Sequence, residues 1–289
     1  MYNDQSAQNR ISNLAVSYFR AKKRVDIIVK KLRLALLGCG FLNNIVASAV
    51  KDGLLPEYEL VAVMGRNGRA DSFAKIFRCK ACDSIEELLA EKPDYTVEAA
   101  SVGAIRSYSV PVLAGGSNLV ILSIGAFADA EFYRQVKDTA AANGRKVYLP
   151  SGAVGGFDVL RTASLMGPIT ASITSLKSPV AVSRTALNFD GILDITEPKE
   201  IFRGTTKEAI AVLPTHVNVA VATALASAGP EKTAMDIHVL PGYQGDEFLI
   251  KVEGEEVRTE LKIYSRTSAI AAWSVVATLQ NIASPIEFF

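Results

Sequence analysis

The junction between Leu32–Leu37 and the segment Gly38-Cys39-Gly40-Phe41-Leu42-Asn43 constrains the fold more than any other feature. A short apolar run, broken only by Arg33 and ending abruptly in glycines, reads as a buried parallel strand followed by a helix, here Asn44 to Lys51. The alternation then repeats. Strands are expected at Tyr58 to Met64, Tyr95 to Glu98, Asn118 to Leu122 and Lys146 to Leu149. Between them helices are expected near Ala70 to Phe77, Ser84 to Glu91, Ile105 to Ala114 and Ala130 to Asn143. Repeated strand-helix units with right-handed crossovers give an α/β fold with a Rossmann-type, doubly wound parallel sheet.

The pattern changes after Pro150. A Gly-rich connection, Ser151-Gly152-Ala153-Val154-Gly155-Gly156, leads to a helix near Phe157 to Met166. Thr170 to Leu176, Met235 to Leu240, Glu247 to Val252 and Glu256 to Ile263 then read as strands with partial alternation, which predicts a second α+β domain with a mixed or antiparallel sheet. Lys207 to Leu213 and Val217 to Ala228 read as helices among them. The expected division is a basic N-terminal extension (1–31), a dinucleotide-binding domain (32–150), a substrate and dimerisation domain (151–267) and a C-terminal helix (268–289) packing back on the first domain.

With 289 residues, 49% of them hydrophobic, the chain can bury a sizeable core. The net charge of +1 hides an asymmetry, because residues 1 to 33 carry eight Lys/Arg against two Asp/Glu. The remaining body is therefore slightly acidic, which argues against nucleic acid as a partner. Ile11 to Leu32 reads as an appended helix with a basic face and lacks the features of a secretory signal. No window reaches the roughly 18 apolar residues of a membrane span, so no membrane partner is expected. Three cysteines, Cys39, Cys79 and Cys82, leave one unpaired in any disulfide scheme, and the expected compartment is the reducing cytoplasm. Cys79 and Cys82 form a C-x-x-C pair, but no second Cys/His pair nearby completes a zinc site, and no metal is expected.

Gly38-x-Gly40 between a strand and a helix permits the close backbone approach that a dinucleotide pyrophosphate requires at a helix N-terminus, and Phe41 and Leu42 of the same segment are expected beside the cofactor. The third fingerprint position is Asn43, which puts a side chain where helix and sheet pack closest. At the end of the second strand an NAD-selective site usually carries an acid, yet the chain reads Met64-Gly65-Arg66-Asn67-Gly68-Arg69. Arg66 and Arg69 suit a 2′-phosphate, so NADP is expected in preference to NAD.

Glu98-Ala-Ala-Ser101, Leu119-Val-Ile-Leu-Ser-Ile-Gly-Ala126, Gly144-Arg-Lys-Val-Tyr-Leu-Pro-Ser-Gly-Ala153 with Gly155-Gly156-Phe157-Asp158, and Val217-Asn-Val-Ala220 together resemble the L-aspartate dehydrogenase family. The resemblance runs from about Leu32 to about Asn281 and extends to Lys177-Ser-Pro179, Phe202-Arg-Gly204 and Arg266-Thr-Ser268. It implies a two-domain homodimeric dehydrogenase that moves hydride between nicotinamide and the Cα of an amino acid or its imine. Ala100, Ser101, Ser123 and Gly125 are then expected beside the cofactor, and Ser151, Gly152, Ala153, Gly155 and Asn218 beside the substrate.

One departure bears on the chemistry. That family carries an Asn-x-His element after an Ala-Asp-Pro turn, and the resemblance makes its His the acid/base residue. Here the turn reads Val239-Leu240-Pro241 and the element reads Asp246-Glu247-Phe248. Phenylalanine carries no proton. His216, Asp246 and His238 are the alternatives. The leading expectation is an imine or imino-acid reductase with an altered substrate. The others are a true L-aspartate dehydrogenase with a relocated acid/base and a non-catalytic dinucleotide-binding protein.

Overall fold

A computed structural model of the chain describes residues 30–213 and 217–288. The expected N-terminal helix and His216 lie outside the described residues.

Six parallel strands form the first sheet in the order β3-β2-β1-β4-β5-β6: β1 (Leu32–Leu37), β2 (Tyr58–Met64), β3 (Lys80–Cys82), β4 (Tyr95–Glu98), β5 (Asn118–Ile121) and β6 (Val147–Tyr148). The order reverses direction between β1 and β4, and a crevice opens beyond the strand ends at such a switch point. Leu34, Ala35, Leu36 and Leu37 are all buried, because helices cover both faces of the sheet. Arg33 breaks the apolar run at the strand's open end, where its guanidinium donates to the Glu91 carbonyl and pairs with Glu59.

Leu34, Leu36, Val63, Val97 and Val120 form one face of the sheet. They pack on α1 (Phe41–Lys51), α2 (Arg69–Phe77) and the chain's last helix, α10 (Ala269–Ala283), which contributes Val275, Val276 and Leu279. The buried Tyr58 hydroxyl donates to the Leu279 carbonyl at 2.8 Å and fixes that helix in register. The other face packs on α3 (Ile85–Ala90), α4 (Val102–Ala114) and α5 (Ala130–Ala142).

The second sheet runs β11-β10-β7-β9-β8, from β7 (Ile169–Lys177), β8 (Lys199–Thr205), β9 (Thr233–Val239), β10 (Asp246–Gly254) and β11 (Arg258–Ser265). It is mixed: β7 and β9 are parallel and every other pair is antiparallel. Its inner face, including Ile173, Ile237, Phe248 and Ile250, joins the core of the first sheet through α6 (Phe157–Met166) and α9 (Asn218–Ala226). A helix apolar around its whole circumference must be enclosed, and NVAVATALA of α9 lies buried along most of its length. The short α7 (Pro179–Val182) and α8 (Thr206–Val212) flank β8.

Candidate active site

Two cavities meet the carboxyl ends of the first sheet. The first, a cleft of about 580 Å³, is lined by Gly38, Gly40, Arg66, Arg69, Ala100 and Ser101 among others. Gly38 has φ of +104°, and a Cβ there would lie 2.8 Å from the Ala99 carbonyl, so the turn requires glycine. A Cβ on Gly40 would meet nothing within 4 Å, and its absence widens the cleft directly before α1. That helix has no side-chain cap on its first amides and no acid in its first turn, which leaves its N-terminus free for an anion. The backbone therefore fits a dinucleotide pyrophosphate.

Asn43 does occupy the close packing between helix and sheet. It is fully buried, and its Nδ2 donates to the carbonyls of Leu37 and Gly38 at 2.9 Å each, holding the end of β1 in its turn. Arg66 and Arg69 are exposed at the mouth of the cleft and form no ion pair among the described residues. Asp83, which sequence reasoning missed, reaches the same cleft from the end of β3.

Glu98 closes the switch point from beneath. Its buried carboxylate accepts from the amides of Ala100, Ser101 and Ser123 and from the Ser123 hydroxyl. Burial pushes this carboxyl above its ordinary range, and the four donors pull it part of the way back. Ser123 is thus committed to Glu98. The Gly125 amide donates to Asn218 Oδ1 at 2.9 Å, tying the turn after β5 to the first residue of α9. Ser123 and Gly125 do not line either cavity, although Ile124 between them lines the second.

The second cavity, about 440 Å³, lies between the inner face of the second sheet and the ends of the first. Ser151, Gly152, Ala153 and Asn218 line it, as does Leu42 of α1; Gly155 does not, and Phe41 is exposed at the helix start. The Gly152 amide is held by the Ser274 hydroxyl of α10 at 3.0 Å.

Its floor is set by strand register. Ser175 of β7 is opposite Phe248 of β10, and the next inward position on each strand is Lys177 and Asp246. Lys177 Nζ donates to Asp246 Oδ1 at 2.6 Å and lies 4.7 Å from the centre of the Phe248 ring, a cation held over an aromatic face. Phe248 is 6% exposed and belongs to the core. The Ser175 hydroxyl is fully buried and has no hydrogen-bond partner among the described residues. Neither Lys177 nor Ser175 was singled out as a site residue from sequence, although both follow the inward alternation begun at Ile173. His238 occupies the opposite face of β9 from the buried Ile237 and Val239, away from the cavity.

Cys39, Cys79 and Cys82 are free thiols, and burial, with Cys39 and Cys82 nearby, pushes Cys79 up to about 11. They are protonated packing groups at neutral pH. Among the described residues no group of three or more His, Cys, Asp or Glu is arranged to hold a metal, and no helix is long and apolar enough to cross a membrane.

Residues 158–282 match the family model of the aspartate dehydrogenase C-terminal region, and residues 38–150 match that of the homoserine dehydrogenase NAD-binding domain. The L-aspartate dehydrogenase of Methanocaldococcus jannaschii is 31% identical over 264 residues, covering 89% of this chain and 98% of the relative. That of Methanocella arvoryzae is 31% identical over 269 residues, covering 88% and 98%. The crystal structure of aspartate dehydrogenase from Thermotoga maritima shares the fold with a TM-score of 0.72 at 24% identity, over 89% of this chain and 99% of that one. The chain therefore belongs to the L-aspartate dehydrogenase family and is an NAD(P)-dependent dehydrogenase of that type.

Proposed function

We propose that this family member reduces the C=N bond of an imino acid other than iminosuccinate, and that it prefers NADP to NAD. The observation that carries the reading is Phe248, a core residue on the floor of the second cavity, in the position where the family resemblance calls for a proton-handling His.

In this reading the turn from Gly38 to Gly40 and the open N-terminus of α1 hold the pyrophosphate, and Arg66 and Arg69 meet the ribose 2′-phosphate. Ala100 and Ser101 line the same groove, kept in place by Glu98. When bound, the dinucleotide supplies hydride chemistry at its nicotinamide. Ser151, Gly152, Ala153 and Asn218 bound the space for the substrate. The carbon of the C=N bond accepts the hydride, and the nitrogen of an iminium already holds its proton, so reduction asks little of a general acid. Oxidation is harder, because the amine must first lose a proton to a base. Phe248 offers none, and Asp246 is engaged by Lys177.

Oxidation of NADPH and NADH followed with oxaloacetate plus ammonia, then with a panel of linear and cyclic imines, tests the reading. Reduction of imines with little oxaloacetate turnover is the expected result. Turnover of oxaloacetate plus ammonia at roughly 10 per second would favour a true L-aspartate dehydrogenase. The Lys177–Asp246 pair, a proton-bearing group beside Phe248, is the observation that supports this second reading. A homodimer in the cytoplasm completes the proposal, supported by the family resemblance and by three free thiols; light scattering of the purified chain tests its assembly.

A further inference from the structure

The second cavity has a single charged pole among the described residues. Among the described residues that line it, Lys177 is the one cation and Asp246 the one anion. They are joined to each other, and the unpartnered hydroxyl of Ser175 lies two residues before Lys177 on the same inward edge. Most of the remaining lining is apolar, including Val182, Leu187, Met235, Ile237 and Phe248.

The Lys177 ammonium has three donors. One is taken by Asp246, and the Phe248 ring faces the cation from another side. What remains, with the Ser175 hydroxyl, can donate to one carboxylate. A second carboxylate has no further cation among the described lining residues, and it brings like charge toward Asp246, the other polar lining groups, Ser151, Thr185, Asn218 and Ser268, being neutral.

We infer that the Lys177–Ser175 pole seats one carboxylate and that Asp246 excludes a second, so the cavity selects monocarboxylic imino or oxo acids with an apolar side chain. Lys177 anchors the carboxylate, and Asp246 sets specificity by spending part of the lysine's charge. The inference rests on the second cavity being the substrate site of the proposed reductase, and it names the substrate class.

Binding separates it from turnover. The full-length chain, saturated with NADPH, is titrated with phenylpyruvate and isocaproate as monocarboxylates and with oxaloacetate and succinate as dicarboxylates, using the fluorescence of the bound cofactor or calorimetry. The monocarboxylates are expected to bind at least about tenfold more tightly. Asp246→Asn should raise dicarboxylate affinity and bring the ratio to within about twofold. Lys177→Gln should remove carboxylate binding while cofactor titration is unchanged, and 4-methylpentanamide, the neutral amide counterpart of isocaproate, should fail to bind the parent. Dicarboxylates binding as tightly as monocarboxylates, an unchanged ratio in Asp246→Asn, or no carboxylate binding at all would overturn the inference. Selective monocarboxylate binding without turnover of any imine would leave it standing and remove the reductase reading; imine turnover without that selectivity does the reverse.

Discussion

Gly125 and Asn218 are joined by a 2.9 Å hydrogen bond from the Gly125 amide to the side-chain Oδ1 of Asn218, linking the turn after β5 to the start of α9. A Cβ on Gly125 would lie 2.9 Å from that same oxygen, so the contact also leaves no room for a side chain. Asn218→Ala leaves the buried amide unpaired, at an expected cost of about 1–3 kcal/mol. Chemical denaturation of parent and variant measures it, and a loss well below that range would mean the turn finds another acceptor.

Arg66→Ala and Arg69→Ala should weaken NADPH and leave NADH nearly untouched. A charge-assisted contact to a phosphate is worth about 1.5–3 kcal/mol, roughly ten- to a hundredfold in affinity. Titration of cofactor fluorescence checks both nucleotides; equal losses for the two would show that the arginines do not read the 2′-phosphate.

Phe248→His restores an imidazole at the floor of the cavity. A placed general base is worth about 10² to 10⁴ in rate, and aspartate oxidation should rise. An imidazole has an ordinary pKa of about 6.5 and so acts as a base near neutral pH. Adding Asp246→Asn should increase the gain by releasing Lys177. A rate unchanged in both variants would show that the cavity no longer holds aspartate productively.

Glu98→Gln tests the buried carboxyl at the switch point. The native carboxyl titrates above its ordinary range, so the folded protein keeps a proton that the unfolded chain gives up. That contribution is full below the ordinary carboxylate pKa of about 4.3 and is lost as pH rises through the raised native value. The melting-temperature advantage of the parent over Glu98→Gln should therefore shrink from about pH 4 toward neutrality. The amide also turns an N–H toward the Ser123 amide, and this costs stability at every pH. A difference that does not vary with pH would contradict the assignment.

Asn43→Ala should destabilise by about 1–2 kcal/mol, since the carbonyls of Leu37 and Gly38 lose the side-chain amide they share, although Leu37 keeps the Ala99 amide. Asn43→Asp should be worse, because a carboxylate would face those same oxygens. Dinucleotide affinity should fall with stability in both variants, as the turn that carries Gly38 loosens.

What the sequence made legible follows from local constraint. The bounds of β1, β2 and β4 match the reading, because strands buried on both faces must be apolar along their length. The short edge strand β3 was invisible, since Lys80, Ala81 and Cys82 have no pattern of their own. Edge strand β8 was missed because Lys199, Glu200 and Arg203 face solvent and its register shifts between Glu200 and Phe202. Helix α1 starts at Phe41 rather than Asn44, there being no capping side chain to mark its beginning. At the site, Gly38 and Gly40 were readable because they answer to backbone geometry. The Lys177–Asp246 pair was not, for its members are 69 residues apart and only antiparallel register brings them together.

The packing of α10 against β1 and β2 sets the order in which this protein can be made. Leu34 and Leu36 leave the ribosome long before the helix that covers them, which brings Val275 and Leu279. At about 5–20 residues per second, the interval is on the order of ten seconds or more. During it the first sheet lacks one of its covering helices, and the Tyr58 hydroxyl lacks its acceptor. Native closure of the dinucleotide half thus waits until α10 has been made, and a nascent chain stalled before Ala269 exposes an apolar sheet face to chaperones or to other unfinished chains.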